Sequence, residues 1–203
     1  MRLFYVPGVC SISPNIVLRE AGIPFKLDRI DLKAGKLTQA GEKYLSINPK
    51  GYVPALELDD GSILTEGAVM VQYIADLKPE AKLAPRPGTM ERVRLQEWLN
   101  FIATELHKNF SPMYQPWAPD TFKAEWREKK VAPRLAHLDK SVEGRPFLMG
   151  DTFTVADAYA FYVLRAWQGP ALKQDLAAWP NLQAYYKRLS ERPSVVAAVA
   201  SEA

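Results

Sequence analysis

The sequence predicts a small mixed α/β domain followed by an all-helical domain. Three observations support this fold class. The first part of the chain alternates strand-like and helix-like segments, and a stretch rich in proline and glycine then interrupts it at 79–88. Every later segment has helical periodicity. We therefore expect domains at 1–78 and 89–203, with a linker at 79–88.

The composition is that of an ordinary globular protein. The chain has 203 residues, which is enough for a packed core, and a net charge of +3 from 26 basic and 23 acidic side chains. This charge is too small and too dispersed to indicate nucleic-acid or membrane binding. A single cysteine excludes an internal disulfide, and no apolar run approaches ~20 residues. The chain begins without a signal-peptide pattern, so cytoplasmic residence is expected.

The first elements predict a strand, a helix and a second strand. Arg2 to Val6 is strand-like, and the helix follows with Ser13-Pro14 as its capping pair, although it could begin as early as Ser11. Phe25 to Leu32 alternates apolar and polar residues, which is typical of a half-buried strand. Two strands joined by one helix are expected to be parallel. Lys33 to Gly41 is predicted to be a loop.

A hairpin follows. Asn48 to Gly51 has turn chemistry, Val53 to Leu58 is a strand with a proline near its start, and Asp59 to Ser62 turns the chain into Ile63-Leu64. The sequence by itself does not establish a cis bond at this proline, because few X-Pro bonds are cis.

The next helix is predicted to open at Thr65-Glu66-Gly67, with Thr65 as its cap and Glu66 in its first turn. Its buried face is predicted to comprise Val69, Met70, Tyr73 and Ile74. Glu66 can simply offset the helix dipole. Alternatively, Glu66 and nearby backbone N–H groups can hold the ammonium and carboxylate of an amino-acid-like ligand.

Cys10 lies at or just before the start of the first helix. A helix N-terminus favours a thiolate, so Cys10 is a candidate nucleophile, and the alternative is an inert buried residue. Cys10-Ser11-Ile12-Ser13 has the spacing of a Cys-x-x-Cys motif with serine in the second place. Because no other cysteine can resolve a disulfide, the partner must be an external thiol such as glutathione.

The second domain begins with a helix that has an apolar and a polar stripe. The apolar stripe contains Leu95, Trp98, Leu99, Ile102 and Leu106, and the polar stripe contains Gln96, Asn100, Thr104, His107 and Lys108. The polar stripe is either solvent-facing or lines a cleft. Pro112, Pro116 and Pro119 are predicted to end this helix. The aromatic residues among them are either core or part of an apolar substrate pocket.

The remaining segments are also helical. Ala124 to Val142 is an amphipathic helix carrying His137, which we interpret as structural or exposed, and no cluster of ligands indicates a metal site. Thr154 and Asp157 have the spacing of a capping box, before the most apolar helix of the chain. Two shorter helices, 182–190 and 193–200, complete the sequence.

Several motifs together resemble one family. They are Tyr5-x-Pro7-Gly8-x-Cys10-Ser11-x-Ser13-Pro14, Leu18-Arg19-Glu20, Asn48-Pro49-Lys50-Gly51-x-Val53-Pro54, Leu64-Thr65-Glu66-Gly67, Trp98-Leu99-Asn100-Phe101, Glu105-Leu106-His107-Lys108 and Phe153-Thr154-Val155-Ala156-Asp157-Ala158-Tyr159. The set resembles the cytosolic glutathione S-transferases, in particular the bacterial beta class.

The resemblance implies a thioredoxin-like N-terminal domain, an all-α C-terminal domain, a homodimer, and glutathione as cosubstrate with no tightly bound cofactor. It implies Cys10 and His107 as catalytic residues. The glutathione-binding residues that it implies are Cys10, Lys36, Val53, Pro54, Glu66, Gly67, Asn100, Thr104, Glu105, Leu106, His107 and Lys108. Lys33 is the alternative to Lys36, and Val53-Pro54 matches a cis-proline motif. We predict an electrophile pocket formed by Phe110, Tyr114, Trp117 and Trp167.

The implied activity is conjugation of the glutathione thiolate to small hydrophobic electrophiles, as in detoxification, with thiol transfer dependent on Cys10. Two alternatives remain open. One is a glutaredoxin-like disulfide reductase or reductive dehalogenase, and the other is a non-catalytic binding protein with the same fold.

Overall fold

The computed structural model describes residues 1–202, which form two compact units. The first unit contains Met1–Ala84 together with the segment from Arg192 onward, and the second contains Pro85–Glu191. The first is mixed α/β and the second is helical, as the predicted fold class requires. In this division the last helix belongs to the α/β unit. The sequence had indicated limits of 1–78, 79–88 and 89–203, which remain a prediction.

The first unit contains a four-stranded sheet of order β2-β1-β3-β4. The strands are β1 (Arg2–Tyr5), β2 (Lys26–Arg29), β3 (Ala55–Glu57) and β4 (Ile63–Thr65). β1 and β2 are parallel, and the β1–β3 and β3–β4 pairs are antiparallel. The predicted parallel pair and the predicted hairpin are therefore both present.

Three α-helices lie between or after these strands: α1 (Ile12–Glu20), α2 (Tyr44–Ile47) and α3 (Gly67–Leu77). A short 3₁₀ turn, Pro79–Ala81, follows α3. α1 packs against α3. One cluster of the unit's core consists of Phe4, Ile30, Tyr44 and Ala55.

The start of α1 lies before the Ser13-Pro14 pair that was predicted to cap the helix. The helix begins at Ile12, so Ser13 and Pro14 lie inside its first turn instead of capping it. Ser11 occupies the N-cap position, but its hydroxyl donates to the carbonyl oxygen of Val6 over 3.1 Å. The hydroxyl therefore ties the helix start to the end of β1.

The buried face of α3 was partly mispredicted. Met70 and Ile74 are buried as expected, whereas Val69 is 51% exposed and Val71 is fully buried. Successive helical residues are separated by about 100° around the axis, so Val69 points away when Met70, Val71 and Ile74 face the interior.

The second unit contains α4 (Met90–Phe101), α5 (Asp120–Trp126), α6 (Ala132–Ser141), α7 (Val155–Gln168) and α8 (Pro180–Ser190). α4 continues through a π-helical segment, Ile102–His107, and a 3₁₀ segment, Lys108–Tyr114. Pro112 therefore lies inside the helical path that it was predicted to end. A second π-helical segment, Arg127–Val131, joins α5 to α6.

α7 is the central helix of the second unit, and almost every residue in it is buried. Its N-terminus has the predicted capping box: an Asp157 carboxylate oxygen accepts from the backbone N–H of Thr154 over 2.8 Å. The same carboxylate accepts from the N–H of Leu148 and from the hydroxyl of Tyr185. Burial raises the pKa of Asp157, and these hydrogen bonds oppose that shift.

The last helix, α9 (Pro193–Ser201), packs against α1 within the first unit. The guanidinium of Arg192 donates to both carboxylate oxygens of Glu20, at 2.8 and 3.0 Å. At the other end of α9, a Glu202 carboxylate oxygen accepts from the backbone N–H of Gly8 over 3.1 Å. The residues that flank α9 thus hold both ends of the segment around α1. None of the helices in residues 1–202 is long and apolar enough to cross a membrane.

Candidate functional site

The first candidate group surrounds Cys10, just before α1. Cys10 is partly exposed, and its backbone carbonyl accepts from the N–H of Ser13 over 3.2 Å. Its thiol sulfur lies 3.2 Å from the carbonyl oxygen of Val53, to which it donates. The only cysteine is therefore held at the helix start, against the chain segment that leads into β3.

That segment is fixed by its own hydrogen bonds. The Val53–Pro54 peptide bond is cis, as the family resemblance implied. The preceding carbonyl, that of Tyr52, accepts from the Tyr44 hydroxyl over 2.6 Å and from the Asn48 side-chain amide over 2.8 Å. Burial raises the pKa of the Tyr44 phenol, and the hydrogen bond with Asn48 opposes this. When Cys10 is a thiolate, its negative charge adds to the increase.

Glu66 lies just before α3, at the N-cap position, with a left-handed backbone φ of 68°. Thr65 is therefore not the cap that the sequence indicated, because it still belongs to β4, where it pairs with Ala55. Glu66 is likewise not in the first turn. Its exposed carboxylate lies 2.6 Å from the Lys50 ammonium, which also donates to the Thr65 hydroxyl.

Lys36 and Lys33 have different surroundings. The Lys36 ammonium donates to the carbonyl oxygen of Gly51 over 3.1 Å, so it reaches the turn that precedes Val53. Lys33 lies in an exposed turn, and its backbone N–H donates to a carboxylate oxygen of Asp31. Within the first unit, Lys36 is thus the lysine directed to the same loop as Cys10 and Glu66.

The predicted residues of the second unit fall into three kinds of environment. Asn100, Thr104 and Lys108 are exposed, and the Thr104 hydroxyl donates to the Asn100 carbonyl. Glu105 forms an ion pair of 2.6 Å with Arg134. Leu106 has no exposed surface, so its side chain belongs to the core of this unit, and its predicted contact with glutathione stays a prediction.

His107 is partly buried beside two tyrosines of α7. Its Nδ1 lies 2.8 Å from the Tyr159 hydroxyl, and its ring packs edge-on against that of Tyr162 with centroids 4.8 Å apart. Burial, followed by the neighbouring charge of Lys108, lowers the pKa of His107 to about 4. The sequence did not indicate either tyrosine as a partner of His107. Tyr159 appeared in the sequence analysis only as the last residue of the family motif that contains the capping box.

The four aromatic residues predicted to form a pocket do not share one environment. Phe110 and Trp167 are buried and pack on each other with centroids 5.7 Å apart, whereas Tyr114 and Trp117 are exposed. Only the latter two present open surface to a ligand. Between residues 1 and 202, no cluster of three or more His, Cys, Asp and Glu residues could hold a metal ion.

Family models match both parts of the chain. Residues 10–77 match the N-terminal domain of glutathione S-transferase and residues 104–202 match the C-terminal domain. Glutathione S-transferase GstA of Escherichia coli O157:H7 is 42% identical over 202 residues, which cover 100% of this chain and 98% of that protein.

Solved structures agree with these matches. A bacterial beta class glutathione S-transferase from Sphingomonas chungbukensis is 44% identical, with a TM-score of 0.92 over 100% of this chain and 98% of the other. A sphingomonad glutathione S-transferase complexed with glutathione is 43% identical, with a TM-score of 0.91 over the same shares of both chains. The similarity therefore extends over both units.

Proposed function

Since the chain belongs to the glutathione S-transferase family and has bacterial beta-class neighbours, we propose that it conjugates glutathione to small hydrophobic electrophiles and that Cys10 adds a thiol-transfer activity. The enzyme class is that of a transferase. The electrophile class, the site residues and the role of Cys10 are the parts that require testing.

The observation that supports the proposal most directly is the placement of Cys10 against Val53. The sulfur lies 3.2 Å from the Val53 carbonyl oxygen, at a bend just before β3. Main-chain groups at the entrance to a strand can pair with the backbone of a peptide such as glutathione. We propose that this pairing brings the cysteinyl part of glutathione to Cys10.

The ends of glutathione would require charged partners. Glu66 offers a carboxylate for the α-ammonium, and the N-terminus of α3 offers N–H groups for the α-carboxylate. Lys36 is proposed to meet the glycine carboxylate, since its ammonium already reaches Gly51. Glu66 would then exchange its ion pair with Lys50 for one with the ligand.

In conjugation, the glutathione thiol first loses its proton to solvent. The thiolate attacks the electrophilic carbon, a carbon–sulfur bond forms, and the leaving group departs with the bonding electrons. In thiol transfer, the Cys10 thiolate attacks a glutathionyl disulfide and displaces the other thiolate. A second glutathione thiolate then attacks the mixed disulfide on Cys10, which releases oxidised glutathione and regenerates the Cys10 thiolate.

Residues of the helical unit also belong to the proposal. Asn100, Thr104, Glu105, His107 and Lys108 are proposed as further glutathione contacts, on the basis of their motif matches. Tyr114 and Trp117 are the exposed aromatic candidates for contact with an electrophile. We also propose a cytoplasmic homodimer.

Calorimetric titration of glutathione tests the binding step. We expect saturable binding at one site per chain. The matched control is the isomeric tripeptide with an α-linked glutamate, which has the same composition and charge. Its glutamyl ammonium and carboxylate occupy different positions along the peptide from those of glutathione. Equal binding of both peptides, or binding of neither, would contradict the proposed site. Turnover of an activated aryl halide with glutathione then tests conjugation.

A further inference from the structure

Tyr44 of α2 joins the two loop segments that carry Lys36 and Val53. Its backbone N–H donates to the carbonyl oxygen of Lys36 over 2.9 Å, and its hydroxyl donates to the carbonyl oxygen of Tyr52 over 2.6 Å. Tyr52 directly precedes Val53 in the chain. One residue of the first unit is therefore bonded to both segments on which the proposed peptide site depends.

The ring of Tyr44 is fixed by the core of the first unit. Its side chain is only 1% exposed, and it packs on Phe4 with ring centroids 5.6 Å apart. Burial, the largest effect, raises the pKa of the phenol, so the hydroxyl keeps its proton at neutral pH and acts as a donor. Packing therefore sets the position of the hydroxyl that holds the Tyr52 carbonyl.

The Tyr52 carbonyl has a second donor in Asn48. The side-chain amide nitrogen of Asn48 donates to it over 2.8 Å, and the amide oxygen accepts from the backbone N–H of Lys50 over 3.2 Å. These two partners fix which end of the amide faces the carbonyl. Since a carbonyl oxygen accepts through two lone pairs, the phenol and the amide together use its full capacity.

A held carbonyl also fixes the N–H on the other side of its peptide bond. The bond between Tyr52 and Val53 is trans, because the cis bond is the next one along the chain. A trans peptide is planar, so the Val53 N–H points away from Tyr44 and Asn48. Within residues 1–202, no group accepts a hydrogen bond from this N–H. It is a main-chain donor that a peptide carbonyl can use.

We propose that Tyr44 and Asn48 are positioning residues that hold the Tyr52–Val53 peptide so that the Val53 N–H meets the main chain of a peptide disulfide or thiol at Cys10. This inference rests on the proposed function and deepens it, because it assigns the preference for a peptide ligand to two side chains that do not touch the ligand. Their effect is on recognition of the peptide, and the reactivity of the Cys10 sulfur is left unchanged.

Two disulfides separate recognition from reactivity. Glutathione disulfide has a peptide main chain, whereas hydroxyethyl disulfide has none. With either compound the Cys10 thiolate attacks one sulfur, a new sulfur–sulfur bond forms to Cys10, and the other half leaves as a thiolate. Because Cys10 is the only cysteine, mass spectrometry of quenched samples gives the second-order rate constant for this step with each disulfide.

Tyr44→Phe keeps the buried ring and removes only the hydroxyl. We expect its rate constant with glutathione disulfide to fall about five-fold, as for loss of one net hydrogen bond. The rate constant with hydroxyethyl disulfide should change less than about two-fold, the scatter of a neutral substitution. An equal fall with both disulfides, or no fall with glutathione disulfide, would overturn the proposal.

Tyr185→Phe is the matched control in the helical unit. Tyr185 is also 1% exposed, and its hydroxyl donates to Asp157 over 2.6 Å, the same distance as in the Tyr44 hydrogen bond. Both variants remove a bonded hydroxyl from a buried tyrosine, so both should unfold at lower urea concentration. Only Tyr44→Phe should lower the ratio of the two rate constants. A similar change of the ratio in Tyr185→Phe would overturn the proposal.

Asn48→Ala tests the second donor independently. It removes the other hydrogen bond to the Tyr52 carbonyl, so we again expect a fall of about five-fold that is confined to glutathione disulfide. The double variant with Tyr44→Phe leaves the carbonyl without either donor. Because the two side chains share one acceptor, its loss should exceed that of each single variant. A double variant that keeps the wild-type ratio would contradict the positioning role.

These outcomes remain distinct from failure of the proposed function. If the wild-type protein binds no glutathione in the calorimeter, the proposed function fails, and the inference fails with it. If the wild-type protein binds glutathione, but Tyr44→Phe and Asn48→Ala keep the wild-type ratio of rate constants, only the positioning role is overturned.

Discussion

The sulfur of Cys10 lies 3.2 Å from the carbonyl oxygen of Val53. The two residues are far apart in the sequence, and the contact joins the start of α1 to the segment that enters β3. The thiol donates in this contact, so ionisation of Cys10 removes the hydrogen bond and leaves the carbonyl available to another donor. The contact therefore connects the protonation state of Cys10 to the main-chain group that we propose for peptide binding.

Replacing Cys10 should separate the two proposed activities. In Cys10→Ala we expect thiol transfer to fall to background, because the nucleophile is gone, while conjugation falls by less than about five-fold, the cost of one lost hydrogen bond. Cys10→Ser is the matched variant, since its hydroxyl can still donate to Val53. It should lose thiol transfer but conjugate better than Cys10→Ala. Parallel assays with a glutathionyl disulfide and an aryl halide measure both rates, and equal loss of both would refute the division of roles.

Glu66 should control affinity for glutathione. We expect Glu66→Gln to weaken binding about 10-fold or more, because it removes the carboxylate proposed to pair with the ligand ammonium. Lys50→Ala should not weaken binding, since it frees Glu66 from its ion pair. The control Glu80→Gln removes an exposed acid that is paired with Lys78. Calorimetry reports all three affinities, and similar effects of Glu66→Gln and Glu80→Gln would argue against a specific role.

Asp157 should be a main determinant of stability in the helical unit. Its carboxylate accepts from Leu148, Thr154 and Tyr185 in a buried environment. We expect Asp157→Ala to lower the free energy of unfolding by about 3–5 kcal/mol, because several buried donors lose their acceptor. Thr154→Ala removes a cap and should cost about 1 kcal/mol. Urea unfolding followed by circular dichroism compares them, and equal losses would contradict the predicted order.

His107 should make stability depend on pH. Its pKa is about 4 in the folded protein, below the value near 6.5 of an unfolded histidine. The unfolded state therefore binds more protons between these values, so stability is retained above about pH 6.5 and decreases as the pH falls towards 4. The difference amounts to about 3 kcal/mol at most. We expect this decrease to be smaller in His107→Gln than in wild type, as measured by urea unfolding across that range.

The proposed homodimer can be tested on α4. Met90 and Val93 are 63% and 45% exposed, so their apolar side chains are open to contact with a second copy of the chain. We expect Val93→Asp to convert the dimer to a monomer, since a buried carboxylate would oppose association. Val196→Asp, at a similarly exposed apolar position of α9, serves as the control and should leave the dimer intact. Light scattering after gel filtration gives the mass, and a wild-type monomer would refute the dimer.

Local patterns predicted most of the fold. The strands, the hairpin and the Thr154–Asp157 capping box depend on residues close together in the sequence, and their positions agree with the prediction to within a few residues. The predicted N-cap of α3, Thr65, was wrong because Thr65 is held in the sheet by pairing with Ala55. That pairing is a tertiary contact, which overrides the capping preference of threonine.

The candidate site was less predictable where it depends on contacts between distant segments. The prediction of a polar stripe on the first helix of the second unit assumed regular helical periodicity. The π-helical segment Ile102–His107 widens the turn and changes the direction of later side chains. His107 consequently lies beside Tyr159 and Tyr162, and no spacing rule links residues on different helices. The side chain of Leu106, which the motif predicted as a ligand contact, lies in the core, as periodicity places it on the apolar stripe.

The α/β unit combines two segments that the helical unit separates in the sequence, and this affects its synthesis. α9 and Glu202 complete the packing around α1 and Gly8, yet they are translated after the helical unit. The ribosome needs about 5–20 s to add the roughly one hundred residues between Ala84 and Arg192. During that interval the nascent helical unit can fold while the α/β unit still lacks its final helix. Translation of the α/β unit therefore starts before that of the helical unit and is completed after it.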